Sequence, residues 1–315
     1  MKIIFLGTGS GSPSLKRNVS SIALVFLKKN RLWLWDCGEG TQHQILKTSL
    51  KISKLEKIFI SHLHGDHLFG LPGLLASRGL VGGKNQQIIQ IFGPEGIDIY
   101  LKKTLNLTKT YIPYEIKIKT IPPNVPSGII YEDAEYRVKY SELTHNIKSY
   151  GYSLEEKKKH SHFLVEKAQK HNIKPGPAYK ALKEGETVRL PDGRIFQGKD
   201  FIDCIKKGKK IVFGSDTTFS KNLIFLAKNA DLLIHESTFS HKDKENAQRN
   251  FHSTTVIAAN VAKEAEVKQL ILNHISSRYG VTSKKNKTDE KDLLIEAQNI
   301  FPDTLMAEDF MEYII

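Results

Sequence analysis

Ile58-Phe59-Ile60-Ser61-His62-Leu63-His64-Gly65-Asp66-His67 decides the fold, because a short strand-like run feeds directly into three imidazoles and one carboxylate. A lone histidine is more often a packed or solvated residue than a ligand. Four potential ligands at a strand end are hard to explain as packing, and Gly65 permits a sharp turn before a helix expected over Leu68 to Leu75. Imidazole and carboxylate together suit zinc, with manganese or iron as less suited occupants.

Outward from this stretch, apolar β-prone runs alternate with segments of helical period: Ile3 to Leu6, Leu32 to Trp35, Ile88 to Phe92, Ile211 to Phe213, Leu232 to Ile234 and Leu270 to Leu272. That rhythm predicts a layered α/β domain. Open α/β sheets place their sites at strand ends. Here several strands end in clusters of His, Asp, Gly and Ser. His145 follows the strand-like Tyr136 to Leu143, Asp216 follows Ile211 to Phe213, and His274 follows Leu270 to Leu272.

The 315 residues carry 47 Lys and Arg against 34 Asp and Glu, a net charge of +13 that favours a polyanionic partner through counterion release. Nucleic acid leads and an anionic membrane surface trails, although basic composition alone decides neither. Two distant cysteines, Cys37 and Cys204, form no Cys-x-x-Cys pattern, so neither a disulfide framework nor a thiolate zinc site is suggested, and a reducing, cytoplasmic setting fits. The apolar run Ile3 to Leu6 is too short for a signal-peptide core, and no run approaches the roughly 18 residues of a membrane-spanning helix. Gly7 to Arg17 and Ser276 to Lys287 read as loops. Lys157 to Lys183 holds eight lysines and three histidines against one acid, Glu166, and reads as an excursion from the core.

The His-x-His-x-Asp-His signature resembles that of the metallo-β-lactamase superfamily, and the resemblance spans essentially the whole chain. It implies a four-layer αββα sandwich, one domain over residues 1–315 with a protruding basic arm at about 155–190. It further implies two zinc ions per subunit: His62, His64 and His145 on one, Asp66, His67 and His274 on the other, Asp216 bridging them. Such a pair activates water and stabilises charge on phosphoryl oxygens. Asp66 would also orient that water or take its proton.

Local motifs narrow the resemblance to the ribonuclease Z family of 3′ transfer-RNA processing endonucleases. They are Phe5 to Ser10, Asp36 to Gln42, Gly70 to Leu75, His235-Glu236-Ser237-Thr238 and His252-Ser253-Thr254. By that resemblance His252 protonates the leaving 3′-oxygen and Glu236 holds it. Ser253-Thr254-Thr255 also reads as a helix cap, which would fix His252 in place. His235 is left out of the site.

Pro13 to Asn18 resembles the family loop Pro-x-Lys-x-Arg-Asn that senses the transfer-RNA 3′ end. Leu15 stands where the family usually has its lysine and Lys16 follows, so Arg17 and Asn18 carry over as contacts while discrimination against a mature CCA end is left open. The lysine-rich excursion resembles the flexible arm of the short-form enzymes, with Pro175 to Tyr179 and Lys183 to Glu186 matching its features. Lys174, Lys180 and Lys183 are then expected on phosphates, and Tyr179 to stack or pack. The combined expectation is a homodimeric endonuclease acting on precursor transfer RNA. A phosphodiesterase of other substrates and a catalytically silent RNA-binding scaffold are the rivals; metal content separates the second, substrate competition the first.

Overall fold

The computed structural model describes residues 1–81, 88–157, 159–160, 163–202, 205–206, 208–280 and 288–315. Cys204, Lys158, His162 and residues 281–287 of the expected late loop lie outside the described residues, as do the side chains of Lys159 and His160. The chain divides into two compact units: Met1–Tyr131 with Val138–Leu154 and Lys210–Ile315, and Glu132–Arg137 with Glu155–Lys209.

The first unit is built on two seven-stranded sheets. One runs, in spatial order, Glu312–Ile314, Lys2–Gly7, Ser21–Phe26, Arg31–Trp35, Leu55–Phe59, Ile89–Gly93 and Ile116–Thr120. The other runs Thr304–Met306, Leu270–Asn273, Leu232–Glu236, Lys210–Phe213, Ser149–Glu156, Tyr136–Leu143 and Ser127–Glu132. The period of two along a strand sorts each side chain to one face. Leu32, Leu34, Ile58 and Ile60 pack with Leu71, Leu74, Ile97 and Leu101 of the Leu71–Val81 and Ile97–Leu107 helices. Their neighbours Trp35 and Phe59 face the second sheet, where Trp35 stacks on Phe213 with ring centroids 3.9 Å apart and Phe59 meets Tyr152 at 5.6 Å. In the second sheet Val212, Leu233, Leu270 and Leu272 pack with Leu223, Ala258, Ala262 and Leu293 of the Lys221–Ala227, Thr255–Glu264 and Glu290–Gln298 helices. The result is helix, sheet, sheet, helix. Central strands buried on both faces read as unbroken apolar runs, and each large apolar side chain so buried is worth roughly 1.5–3 kcal/mol.

Strand direction, more than layering, positions the polar strand ends. Lys210–Phe213, Leu232–Glu236 and Leu270–Asn273 are mutually parallel, with Phe213 beside Ile234 and Glu236 beside Asn273. Arg31–Trp35 and Leu55–Phe59 are also parallel, with Trp35 beside Phe59. Residues leaving the carboxyl ends of these strands therefore emerge side by side. Tyr150 of the second sheet donates its amide to the Ser61 carbonyl at 3.0 Å, which ties the two sheets together at that end.

The helix expected over Leu68 to Leu75 is two helices, Gly65–Leu68 and Leu71–Val81. Gly70 donates its amide to the Cys37 carbonyl at 3.0 Å instead of continuing the ladder, and a Cβ there would sit 2.0 Å from the Gly38 oxygen. Gly65 is not in a left-handed turn; it lies under the Phe69 ring, which a Cβ would approach to 2.2 Å.

The second unit has its own small core of Ala168, Ile173, Leu182 and Phe201, joined by Phe163, Tyr179 and Phe196. It carries helices Val165–Lys170 and Pro177–Lys183 and a hairpin of Thr187–Arg189 with Ile195–Gln197.

Candidate metal centre and active site

Six strand ends deliver the site. Arg31–Trp35 gives Asp36, Leu55–Phe59 gives Ser61 to His67, Tyr136–Leu143 gives His145, and the three parallel strands give Asp216, Glu236 to Thr238 and His274. One atom from each of His62, His64, His145 and Asp216 lies within 4.8 Å of the others, and the same holds for Asp66, His67, Asp216 and His274. Asp216 belongs to both groups. All seven residues read from the sequence as ligands are thus brought together.

Each of four imidazoles is gripped through one nitrogen by the protein while the other faces the centre. His62 Nδ1 meets Ser61 Oγ at 3.0 Å, His67 Nδ1 the Asp36 Oδ2 at 2.7 Å, His145 Nδ1 the Phe251 carbonyl at 2.8 Å, and His274 Nδ1 the Thr238 Oγ1 at 2.9 Å. Inward, His62 Nε2 lies 3.0 Å from His64 Nδ1, and His67 Nε2 lies 3.2 Å from His274 Nε2. His274 Nε2 is also 3.3 Å from Asp66 Oδ2. Ring nitrogens and carboxylate oxygens converging in this way suit a shared cation, with the outer partners fixing each ring.

The electrostatics of three imidazoles and of both carboxylates agree with that use. Burial holds His62, His64 and His145 below the ordinary imidazole value, and His62 well below it, so they stay neutral with a lone pair to give. His67 goes the other way: the carboxylates of Asp216, Asp66 and Asp36 override burial and raise it. Asp66 and Asp216 would be raised by burial, but the imidazoles around them hold both well below the usual carboxylate range. Asp216 Oδ1 is buried without a hydrogen bond, as an oxygen reserved for a cation would be.

The backbone is strained at the same place. Asp36, Phe251 and His274 all sit near φ +58°, a conformation bulky residues seldom adopt.

Next to the two groups lies Glu236 with His252, whose Nδ1 is 3.0 Å from Glu236 Oε1. Although Glu236, His252 and His274 also cluster, the Glu236 carboxylate is spoken for. It accepts from the amides of Thr217 and Ser253 through Oε1, and from the amide and hydroxyl of Thr238 through Oε2. Burial alone would lower His252; Glu236 overrides it and lifts His252 to about 9. The helix cap is Thr254, whose side chain accepts from Ile257, so His252 stands just outside the capped turn. His235, buried and bonded to the Glu236 carbonyl, stays out of the site.

Other expected contacts are placed elsewhere. Arg17 is 5 % exposed, and its guanidinium donates to Thr8 Oγ1, the Ala307 carbonyl and Glu290. Its Nε and Nη1 donors are taken up inside the protein. Asn18 donates its amide to Asp309 and its side chain to the Glu39 carbonyl. Tyr179 packs on Phe163 with ring centroids 4.8 Å apart, while Lys174, Lys180 and Lys183 are exposed.

The sequence reading missed Asp36, which accepts from His67 and from both the amide and hydroxyl of Ser61. It also missed Thr238, which bridges Glu236 and His274. Asp36 offers two signals, a polar residue ending an apolar strand and its place at the head of the Asp36 to Gln42 motif.

A family model described as Anti-Pycsar protein Apyc1 matches residues 1–117. The chain is 49% identical to Ribonuclease Z of Synechocystis sp. over 99% of this chain and 93% of that one. It is 46% identical to Ribonuclease Z of Prochlorococcus marinus over 99% of this chain and 97% of that one. Among solved structures, the short form of human tRNase Z superposes with a TM-score of 0.70 and 29% identity, covering 100% of this chain and 99% of that one. The metallo-beta-lactamase fold protein YhfI from Bacillus subtilis gives a TM-score of 0.67 at 20% identity over 99% and 98% of the two chains, a likeness of fold alone.

Proposed function

We propose that this chain, which belongs to the ribonuclease Z family, is a zinc-dependent endonuclease that removes the 3′ trailer of precursor transfer RNA. Cleavage falls after the discriminator nucleotide and leaves a 3′-hydroxyl on the transfer RNA and a 5′-phosphate on the trailer. The observation that carries this reading is the double ligand group sharing Asp216 with the His252 and Glu236 pair beside it.

His62, His64 and His145 would hold one ion, Asp66, His67 and His274 the other, and Asp216 both; two ions supply Lewis acidity and an activated water at neutral pH. Asp66, kept ionised by His67 and His274, orients the attacking water. Gly11 steadies it by donating its amide to Asp66 Oδ2 at 2.9 Å. As the phosphorus–oxygen bond breaks, the departing 3′-oxygen takes a proton from His252, which Glu236 holds in place and keeps protonated. A net charge of +13 supports a polyanionic substrate.

Residues of about 155–190 form the substrate-binding arm in this reading, with Lys174, Lys180 and Lys183 on backbone phosphates. The enzyme works as a homodimer in the cytoplasm, away from any membrane. Among the described residues no helix is long and apolar enough to cross one.

The test is incubation with a 3′-extended precursor and mapping of both product ends. A single cut after the discriminator is expected. Scattered cuts, or turnover of small phosphodiesters with the precursor left intact, would replace this reading by that of a general phosphodiesterase.

A further inference from the structure

Six Phe or Tyr side chains are exposed among the described residues: Phe69, Tyr111, Phe219, Phe225, Phe251 and Phe310. Three of them sit on the loops that carry the site. Phe251 directly precedes His252, and its carbonyl holds His145 Nδ1 at 2.8 Å. Phe219 follows Thr218, whose amide donates at 2.9 Å to the carbonyl of Thr144, the neighbour of His145 on its other side. Phe69 lies against Gly65, between His64 and Asp66, so closely that a Cβ on Gly65 would enter its ring. Phe69 is 62 % exposed, Phe219 43 % and Phe251 42 %.

Two of these exposed rings, Phe219 and Phe251, stand on anchored backbone. Phe219 stands between Thr218, anchored on Thr144, and Ser220, whose hydroxyl caps the Lys221–Ala227 helix. Phe251 is held through its amide to Gln248 and its carbonyl to His145, at φ +58°. A bulky residue held in that conformation with its ring in solvent costs stability and returns none to the core. His64 and His145, which the rings adjoin, are partly shielded from solvent, as is Asp66, whereas His62, His67, Asp216 and His274 are buried. The residues that carry the rings are thus joined by backbone contacts or close packing to the neighbours of two part-exposed ligand residues.

We propose that Phe219 and Phe251, flanking His145, together with Phe69 beside His64, form a stacking subsite for the nucleobases that adjoin the scissile phosphate. The inference rests on the endonuclease reading and deepens it. Phenyl rings offer a π-face and no hydrogen-bonding group, so the subsite grips any base and reads none. Its work is to fix the nucleotide whose phosphate must lie over the ions, a task for which rigid aromatic surfaces lose little conformational freedom on binding.

The experiment compares single-turnover cleavage of a 3′-extended precursor with that of precursors carrying an abasic residue on one or other side of the scissile bond. Wild type, Phe219→Ala, Phe251→Ala and Phe219→Trp are assayed, with elemental zinc measured on each sample. Removing a stacked base is expected to slow wild type on the order of 5- to 100-fold at subsaturating enzyme. The alanine variants should lose a comparable factor on the intact precursor, retain zinc and become indifferent to the abasic residue, while Phe219→Trp keeps the wild-type pattern. Abasic precursors cut by wild type at the intact rate would overturn the subsite alone. So would alanine variants that keep full sensitivity to base removal. Wild type that fails to cut the precursor would refute the endonuclease reading, and the subsite with it.

Discussion

His252 Nδ1 lies 3.0 Å from Glu236 Oε1, and Glu236 is itself fixed by four further donors from Thr217, Thr238 and Ser253. A carboxylate so fully occupied has no oxygen left to move. It sets both the direction of the imidazole and its proton affinity, and among the described residues it leaves the other ring nitrogen, Nε2, without a protein partner.

The first prediction concerns that pair. His252→Ala should lower kcat by about 10²–10⁴-fold, the usual contribution of a general acid, with zinc content and precursor affinity nearly unchanged. Single-turnover rates at saturating enzyme, elemental analysis and binding isotherms check the three quantities. Loss of zinc, or loss of affinity alone, would make His252 a structural residue.

The pH profile gives a second prediction. Glu236 raises His252 to about 9 against the opposing effect of burial, so the donor is protonated below that pH and loses its proton above it. Activity should therefore fall on the alkaline side through loss of the acid. In Glu236→Gln the carboxylate no longer offsets burial, the pKa drops, and the alkaline limb should move to lower pH. A limb that stays in place would remove Glu236 from this role.

Asp216 is the residue common to both ligand groups, and its Oδ1 is buried without a hydrogen bond. Asp216→Ala should therefore cost both ions together, since seven ligands around a shared carboxylate exceed what one tetrahedral zinc uses. Elemental analysis after gel filtration measures this. Retention of two ions per chain would end its bridging role.

Asp36 offers a test one layer out. Asn tolerates its φ of +58° and keeps its size, yet cannot accept from His67 and from Ser61 as the carboxylate does. Asp36→Asn should weaken metal affinity about 10- to 100-fold. Competition with a chelator reads the change; unaltered affinity would show that His67 needs no such partner.

The sequence reveals what adjacency encodes. His62, His64, Asp66 and His67 are legible because they are neighbours, and His145, Asp216 and His274 because each closes an apolar strand. The central strands are legible for the same reason: both faces are buried, so Leu232 to Ile234 and Leu270 to Leu272 are unbroken runs. Ile116–Thr120 alternates with lysine and Thr304–Met306 is three residues long, so neither stands out from loop. Asp36 and Thr238 act only through partners brought near by folding, His67 and His274. The burial of Arg17 is not legible because its motif is local while two of the groups that accept from it, Ala307 and Glu290, are near the other end of the chain.

The lysine-rich segment is better tested by removing charge than by removing chain. Deleting Lys157 to Lys183 would remove Ala168, Ile173 and Leu182 from the core they share with Phe201, so loss of activity would report loss of structure. Lys157 and Lys167 are occupied by Glu132 and the Asp200 carbonyl. Lys174, Lys180 and Lys183 are exposed, and replacing the three by Gln leaves the apolar contacts alone. If these lysines meet phosphates, each releases counterions on binding, and the slope of log affinity against log salt should flatten by up to about 2–3. KM for the precursor should rise while kcat changes little. Hydrolysis of bis(p-nitrophenyl) phosphate should be untouched, because that substrate needs the metal centre alone. An unchanged salt slope would reduce the segment to a solvated surface, and equal loss of both activities would make it a support of the fold.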